Sequence, residues 1–75
     1  MEEKDRILIE KHIERDEELK KHVLEHRLFE KQLEVLEGKH FLTADEQLQQ
    51  KRIKKLKLAG RDKIESILKK YRDAD

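Results

Sequence analysis

Apolar residues recur at steps of three and four along most of this chain. At ~100° per residue, Leu19, His22, Val23, His26, Phe29, Leu33 and Leu36 fall on one helix face. Gln49, Ile53, Leu56, Gly60, Ile64, Ile67 and Tyr71 fall on one face of a second helix by the same test. Both rows have the heptad-like spacing of a coiled-coil seam. Between them, LEGKHFLTADE holds the one strong break. Gly38 suits the residue just past a helix C-terminus, where a left-handed backbone costs glycine little. Thr43-Ala-Asp-Glu46 fits a capping box, with the Thr43 hydroxyl and the Glu46 carboxylate each accepting a backbone N–H from the other residue. Asp45 and Glu46 also suit the positive end of a helix dipole. The pattern predicts one domain over 1–75, with helices near 5–37 and 44–72 joined by loop 38–43. So short a connection folds two long helices back antiparallel.

A fold centred on His40–Phe41 sets Phe29 beside Ile53, His26 beside Leu56, His22 and Val23 beside Gly60, and Leu19 beside Ile64. Both seams agree with this one register. Upstream of Leu19 the pattern weakens. Ile7, Leu8, Ile9 and Ile13 sit amid dense charge, and IERDEE breaks the apolar row. Residues 1–18 either continue the first helix or form a separate short one. Gly60 costs a helix ~1 kcal/mol relative to alanine. A close backbone approach, or room for His22, is the expected reason.

Composition sharpens this reading. Charged residues make up 49% of the 75 and apolar residues 35%, with three aromatics. That approaches the make-up of long helices and coiled coils, and also of disordered chains. The net charge of +1 and the regular Leu/Ile spacing favour helices. With no cysteine, disulfides and thiolate chemistry are excluded. No apolar run reaches the ~18 residues of a membrane span, and the acidic start MEEKDRILIEKH is unlike a signal peptide. A soluble, cytoplasmic protein is expected.

Charge divides between the halves. Residues 1–38 carry 12 acidic and 8 basic side chains, net −4; residues 39–75 carry 6 and 11, net +5. Lys51, Lys54, Lys55 and Arg61 cluster on one side of the second helix, with Leu58 among them. They are candidate contacts for a partner or for nucleic-acid phosphates. No aromatic interleaves with them to stack on bases. The favoured expectation is therefore a solvated flank whose lysines pair with acids of the first helix, as e and g positions do. Leu24, Leu28 and Val35 form a second apolar stripe off the seam. A two-helix hairpin is thin support for a chain this size, so the stripe is the candidate contact for another copy.

His22 and His26, four apart, could offer two imidazoles to one metal, but no third ligand can be named and the helix lacks a metalloprotease glutamate. Imidazoles bonded across the seam are the expected arrangement. Ser66 and Thr43 are the only hydroxyl nucleophile candidates of their types, Thr43 is better explained as a cap, and there is no phosphate-cradling glycine loop. No catalytic residue, metal, cofactor or small-molecule substrate is assigned.

EHRLFEKQLEVLE (25–37), HFLTADEQ (40–47) and KRIKKLKLAGRDKIESIL (51–68) resemble the small bacterial YdcH-like proteins, a family for which no activity is established. The family's LKK-x-KL-x-x-KD-x-I pattern reads here from Ile53 to Ile64, with Arg61 for the usual lysine before Asp62 and Gly60 where a bulkier residue is common. His26, Lys55 and Asp62 fall at family-marked positions. The resemblance covers about residues 16–71 and implies a bacterial, cytoplasmic helical hairpin that oligomerises. The expectation is thus an all-α, coiled-coil-like antiparallel two-helix hairpin that self-associates into a bundle. It would act as a non-enzymatic protein-interaction or adaptor module. The alternative is a nucleic-acid or ribosome-associated protein using the basic face of the second helix.

Overall fold

The computed structural model describes residues 2–74 and leaves Met1 and Asp75 outside the described residues. It holds three α-helices, α1 (Glu3–His12), α2 (Glu17–Glu37) and α3 (Ala44–Ala74), and no strand among the described residues. The expected helix over 5–37 is therefore two, and the N-terminal residues take the second course left open for them, a separate short helix. Asp16 divides them: its backbone is extended (φ −116°, ψ 99°) and its carboxylate accepts the Leu19 N–H at 2.9 Å. Aspartate is a poor interior helix residue but a strong N-cap, because its short side chain satisfies an N–H that the first helical turn leaves unpaired. The N–H groups of Arg15 and Asp16 both donate to the His12 carbonyl at 3.0 Å, which closes α1 in a tight turn.

At the other end of α2, Gly38 is right-handed (φ −76°, ψ −9°), not left-handed as its type suggested. Its N–H donates to the Glu34 carbonyl at 3.0 Å, and the Lys39 N–H reaches Leu36 at 3.2 Å, so the last turn simply tightens. The capping box forms as expected. The Glu46 N–H donates to Thr43 Oγ1 at 3.1 Å, and the Thr43 N–H donates to Glu46 Oε1 at 3.0 Å. The Lys39 ammonium pairs with the other Glu46 oxygen. That contact, with the Thr43 N–H, holds the Glu46 carboxyl down at about 2.

Helices α2 and α3 pack against each other, and α1 packs on α3. The start of α2 meets the end of α3, where the Tyr71 hydroxyl donates to Asp16 Oδ2 at 2.5 Å. The main core lies at this end and joins Leu19, Val23, Ile64, Ile67 and Leu68 to Ile9 of α1. Leu19 and Ile64, set opposite each other by the expected register, share that cluster. Leu33 and Leu36 are buried towards the loop. A second contact of Tyr71 fixes α1, since the His12 and Tyr71 rings stack with centroids 3.7 Å apart. Arg72 bridges Asp5 of α1, at 3.4 Å, and Glu65, at 3.5 Å. Asp5 is buried, so this ion pair is the polar counterpart of the Ile9 contact.

The seam of α3 departs from the expected row. Leu56 is 53% exposed and Gln49 is exposed, while Ile53, Lys57 and Gly60 are half-buried and Leu68 is fully buried. A straight helix drifts ~20° per heptad, so one row of positions cannot stay inward over 31 residues. Docking of α1 also widens the buried stripe at the far end, which draws Leu68 in beside Ile64 and Ile67. The long aliphatic stem of Lys57 suits a half-buried position, because it can cover apolar surface with its charge in water.

Gly60 has no tertiary reason either. A Cβ built there meets nothing within 4 Å, so neither a close backbone nor His22 needs the space. Gly60→Ala is expected to gain up to ~1 kcal/mol of helix propensity and to raise Tm by several degrees in a circular-dichroism melt. A lowered Tm would show that the position does more than fill a helix.

Candidate interaction surface

The α2–α3 pair has two long flanks. On the first, His26, Glu30 and Leu33 of α2 line an open groove with Lys54, Leu58 and Arg61 of α3. Farther from the loop, Arg6, Ile9 and Glu10 of α1 lie over the same flank, against Val23, His26 and Ile64. On the second flank, Gln32, Val35 and Leu36 face Gln49, Arg52 and Ile53 across another open groove. Neither groove encloses a space, so neither isolates a reacting group from water.

The sequence-derived contacts separate between these surfaces. Leu24, Leu28 and Val35 are all exposed, Val35 at 65%, and lie nearly opposite the buried stripe of α2. Leu58, also exposed, stands on the first flank with Lys54 and Arg61 and cannot share a surface with Val35. Lys51 and Lys55 are exposed on the outer side of α3. Leu56, expected in the seam, instead stands on the second flank, one turn from Arg52 and Ile53. Leu48 is exposed on the same helix. Phe41, at the loop, is 89% exposed.

The expected ion pairing is a correction. Among the described residues, Lys51, Lys54, Lys55, Lys57 and Arg61 make no salt bridge, to α2 or elsewhere. Two of the six acids of α2 sit beside histidines of their own helix: His26 Nδ1 is 2.9 Å from Glu30 Oε1, and His22 Nδ1 is 4.0 Å from Glu25 Oε2. Both pairs have helical i,i+3 or i,i+4 spacing, which is shorter to bridge than the gap between helices. Both imidazoles thus have their nearest acids along α2, and neither has a hydrogen-bond partner across the seam among the described residues. No group of three or more potential metal ligands occurs among the described residues.

The sequence did not reveal the cluster that ties α1 down. His12, Asp16 and Tyr71 meet there, and His12 Nε2 is buried without a hydrogen-bond partner among the described residues. The Tyr71 hydroxyl and then the Leu19 N–H hold the Asp16 carboxyl below its ordinary range, and the same hydrogen bond to Asp16 pushes the Tyr71 hydroxyl up. Two residues 55 apart in sequence carry no local signal of such a contact.

These features define a small all-α protein with open, charged and apolar flanks, in which no described helix is long and apolar enough to cross a membrane. No family model, curated protein or solved structure matches the chain.

Proposed function

We propose that this protein is a non-enzymatic interaction module of the YdcH-like type, built on an antiparallel α2–α3 hairpin. The hairpin reading rests on its two ends: Asp16 meets Tyr71 at one, and Lys39 meets Glu46 at the other. The observation that carries the functional reading is the apolar lining of the second flank, where exposed Val35 stands with Leu36 and Ile53 and exposed Leu56 lies one turn away, on a chain with few apolar residues to spare. Single exposed leucines need no explanation, but a contiguous apolar face marks a binding surface. A photoreactive benzoylphenylalanine in place of Val35, irradiated in cell extract, is expected to give protein adducts. The same residue in place of Lys55 should give far fewer. Absence of adducts from position 35 would remove the basis for the reading.

A second reading has its own support in the unpaired cations. Lys51, Lys54, Lys55 and Arg61 have no partner within the chain among the described residues and remain available to phosphates. Titration of a short single-stranded RNA in rising salt separates the two. We expect no binding beyond weak, non-saturating association at low salt. Saturable binding that weakens steeply with salt, and is abolished by Lys54→Glu with Lys55→Glu, would favour the nucleic-acid reading.

A further inference from the structure

We infer that the partner on the second flank is another copy of this chain, set so that α2 of each copy lies along α3 of the other. The inference rests on the interaction-module reading and names its partner and geometry.

The two flanks are unequal. The first is covered at one end by α1, whose Ile9 joins the core beside Val23 and Ile64. The second has nothing over it from its own chain among the described residues, and its groove carries Val35, Leu36 and Ile53, with Leu56 one turn away. The 47 × 20 Å outline of the molecule has room for roughly the 800 Å² per partner of an ordinary interface.

Charge fixes both the partner and its orientation. Helix α2 carries 6 acidic and 4 basic residues, net −2, and α3 carries 5 and 10, net +5. The division holds on the second flank itself: Glu18 and Glu25 continue the row of Gln32 along α2 at seven-residue steps, while Lys63 and Lys70 continue that of Leu56 along α3, with Arg52 one turn away. Two copies can meet face to face about either of two two-fold axes in the plane of contact. An axis across the hairpin stacks α3 on α3, which sets the two most basic helices together. An axis along the hairpin stacks α2 on the partner's α3, so unlike charges face each other and all neighbouring helices run antiparallel, as in a four-helix bundle. Neighbouring helices run antiparallel in either arrangement, so charge is what selects the second. It places both loops, and both copies of Phe41, at the same end.

Analytical ultracentrifugation with spin labelling tests this on the full chain, whose lack of cysteine makes a single label clean. The expected mass is twice the 9.1 kDa chain. Leu56→Glu should reduce it to one chain with helicity retained, since Leu56 is already exposed. Leu58→Glu, on the opposite flank, should leave the dimer intact. A spin label at Phe41→Cys should report a separation between copies within roughly 25 Å, because packed helix layers lie only about 10 Å apart. A separation near or above the 47 Å length of the molecule would place the loops at opposite ends and overturn the orientation. A one-chain mass, or dissociation by Leu58→Glu and not by Leu56→Glu, would overturn the interface. In that event the interaction-module reading still stands if position 35 cross-links to a different protein, and falls only if it cross-links to nothing.

Discussion

Leu68→Ala is expected to unfold most of the protein at ordinary temperatures. Leu68 is fully buried, and it lies in the cluster that joins α1, α2 and α3. Truncating such a leucine costs about 2–5 kcal/mol, from lost transfer energy and from the cavity left behind. A core this small rarely supplies more than about 3–5 kcal/mol in all. One substitution thus removes most of the margin. The circular-dichroism melt of Leu68→Ala should lose its cooperative transition or shift far down, whereas Leu48→Ala, at an exposed site on the same helix, should change little. Equal effects at the two sites would mean that α3 is turned the other way.

The second large effect belongs to Asp16. Asp16→Ala removes a helix cap and the acceptor of the Tyr71 hydroxyl together, and should cost about 1–2 kcal/mol on the cap alone. Its consequence extends beyond α2. Tyr71 also stacks on His12, so freeing its hydroxyl loosens the seat of α1. The pH dependence follows from the same contact. Asp16 is more acidic folded than its ordinary 3.8, so its contribution is present above that pH and is lost as pH falls through the folded value. Tyr71 is less acidic folded than its ordinary 10.0, so its contribution is present below 10.0 and is lost as pH rises through the folded value. The stability difference between the wild type and Tyr71→Phe should therefore be widest between these limits and narrow beyond each. A difference that stays constant in chemical denaturation from pH 3 to pH 8 would show that the Asp16 charge plays no part.

The proposed interaction surface adds a constraint on the core. Every leucine on an outer face is withheld from the few that hold the chain together. Leu24, Leu28, Val35 and Leu56 are all exposed, while Ile53 and Gly60 are only half-buried at the middle of the α2–α3 contact. The folded monomer is thereby weakest along its middle, where the second flank is bare. A second copy over that flank would stabilise the folded form through binding, since anything that binds only the native state shifts the equilibrium towards it. Stability that rises with protein concentration is the corresponding sign.

The sequence by itself determined the local events. The apolar rows gave the helical class, and the loop declared itself because Thr43 and Glu46 satisfy each other's N–H groups within three residues. Acidic residues and a +1 total charge were equally plain, as was the absence of thiol chemistry. Asp16 could have been recognised as a cap, since an acid preceding Glu17, Glu18 and an apolar row is a helix-start signal. What only the tertiary structure decided was everything that spans distant residues. Period counting could not keep Leu56 inward or bring Leu68 inward, because drift along a long helix and the docking of α1 set those positions. Nor could charge totals say that the lysines of α3 leave the acids of α2 unanswered. A carboxylate pairs with whichever polar group its own helix places within reach, and for Glu30 that is the imidazole of His26 one turn away.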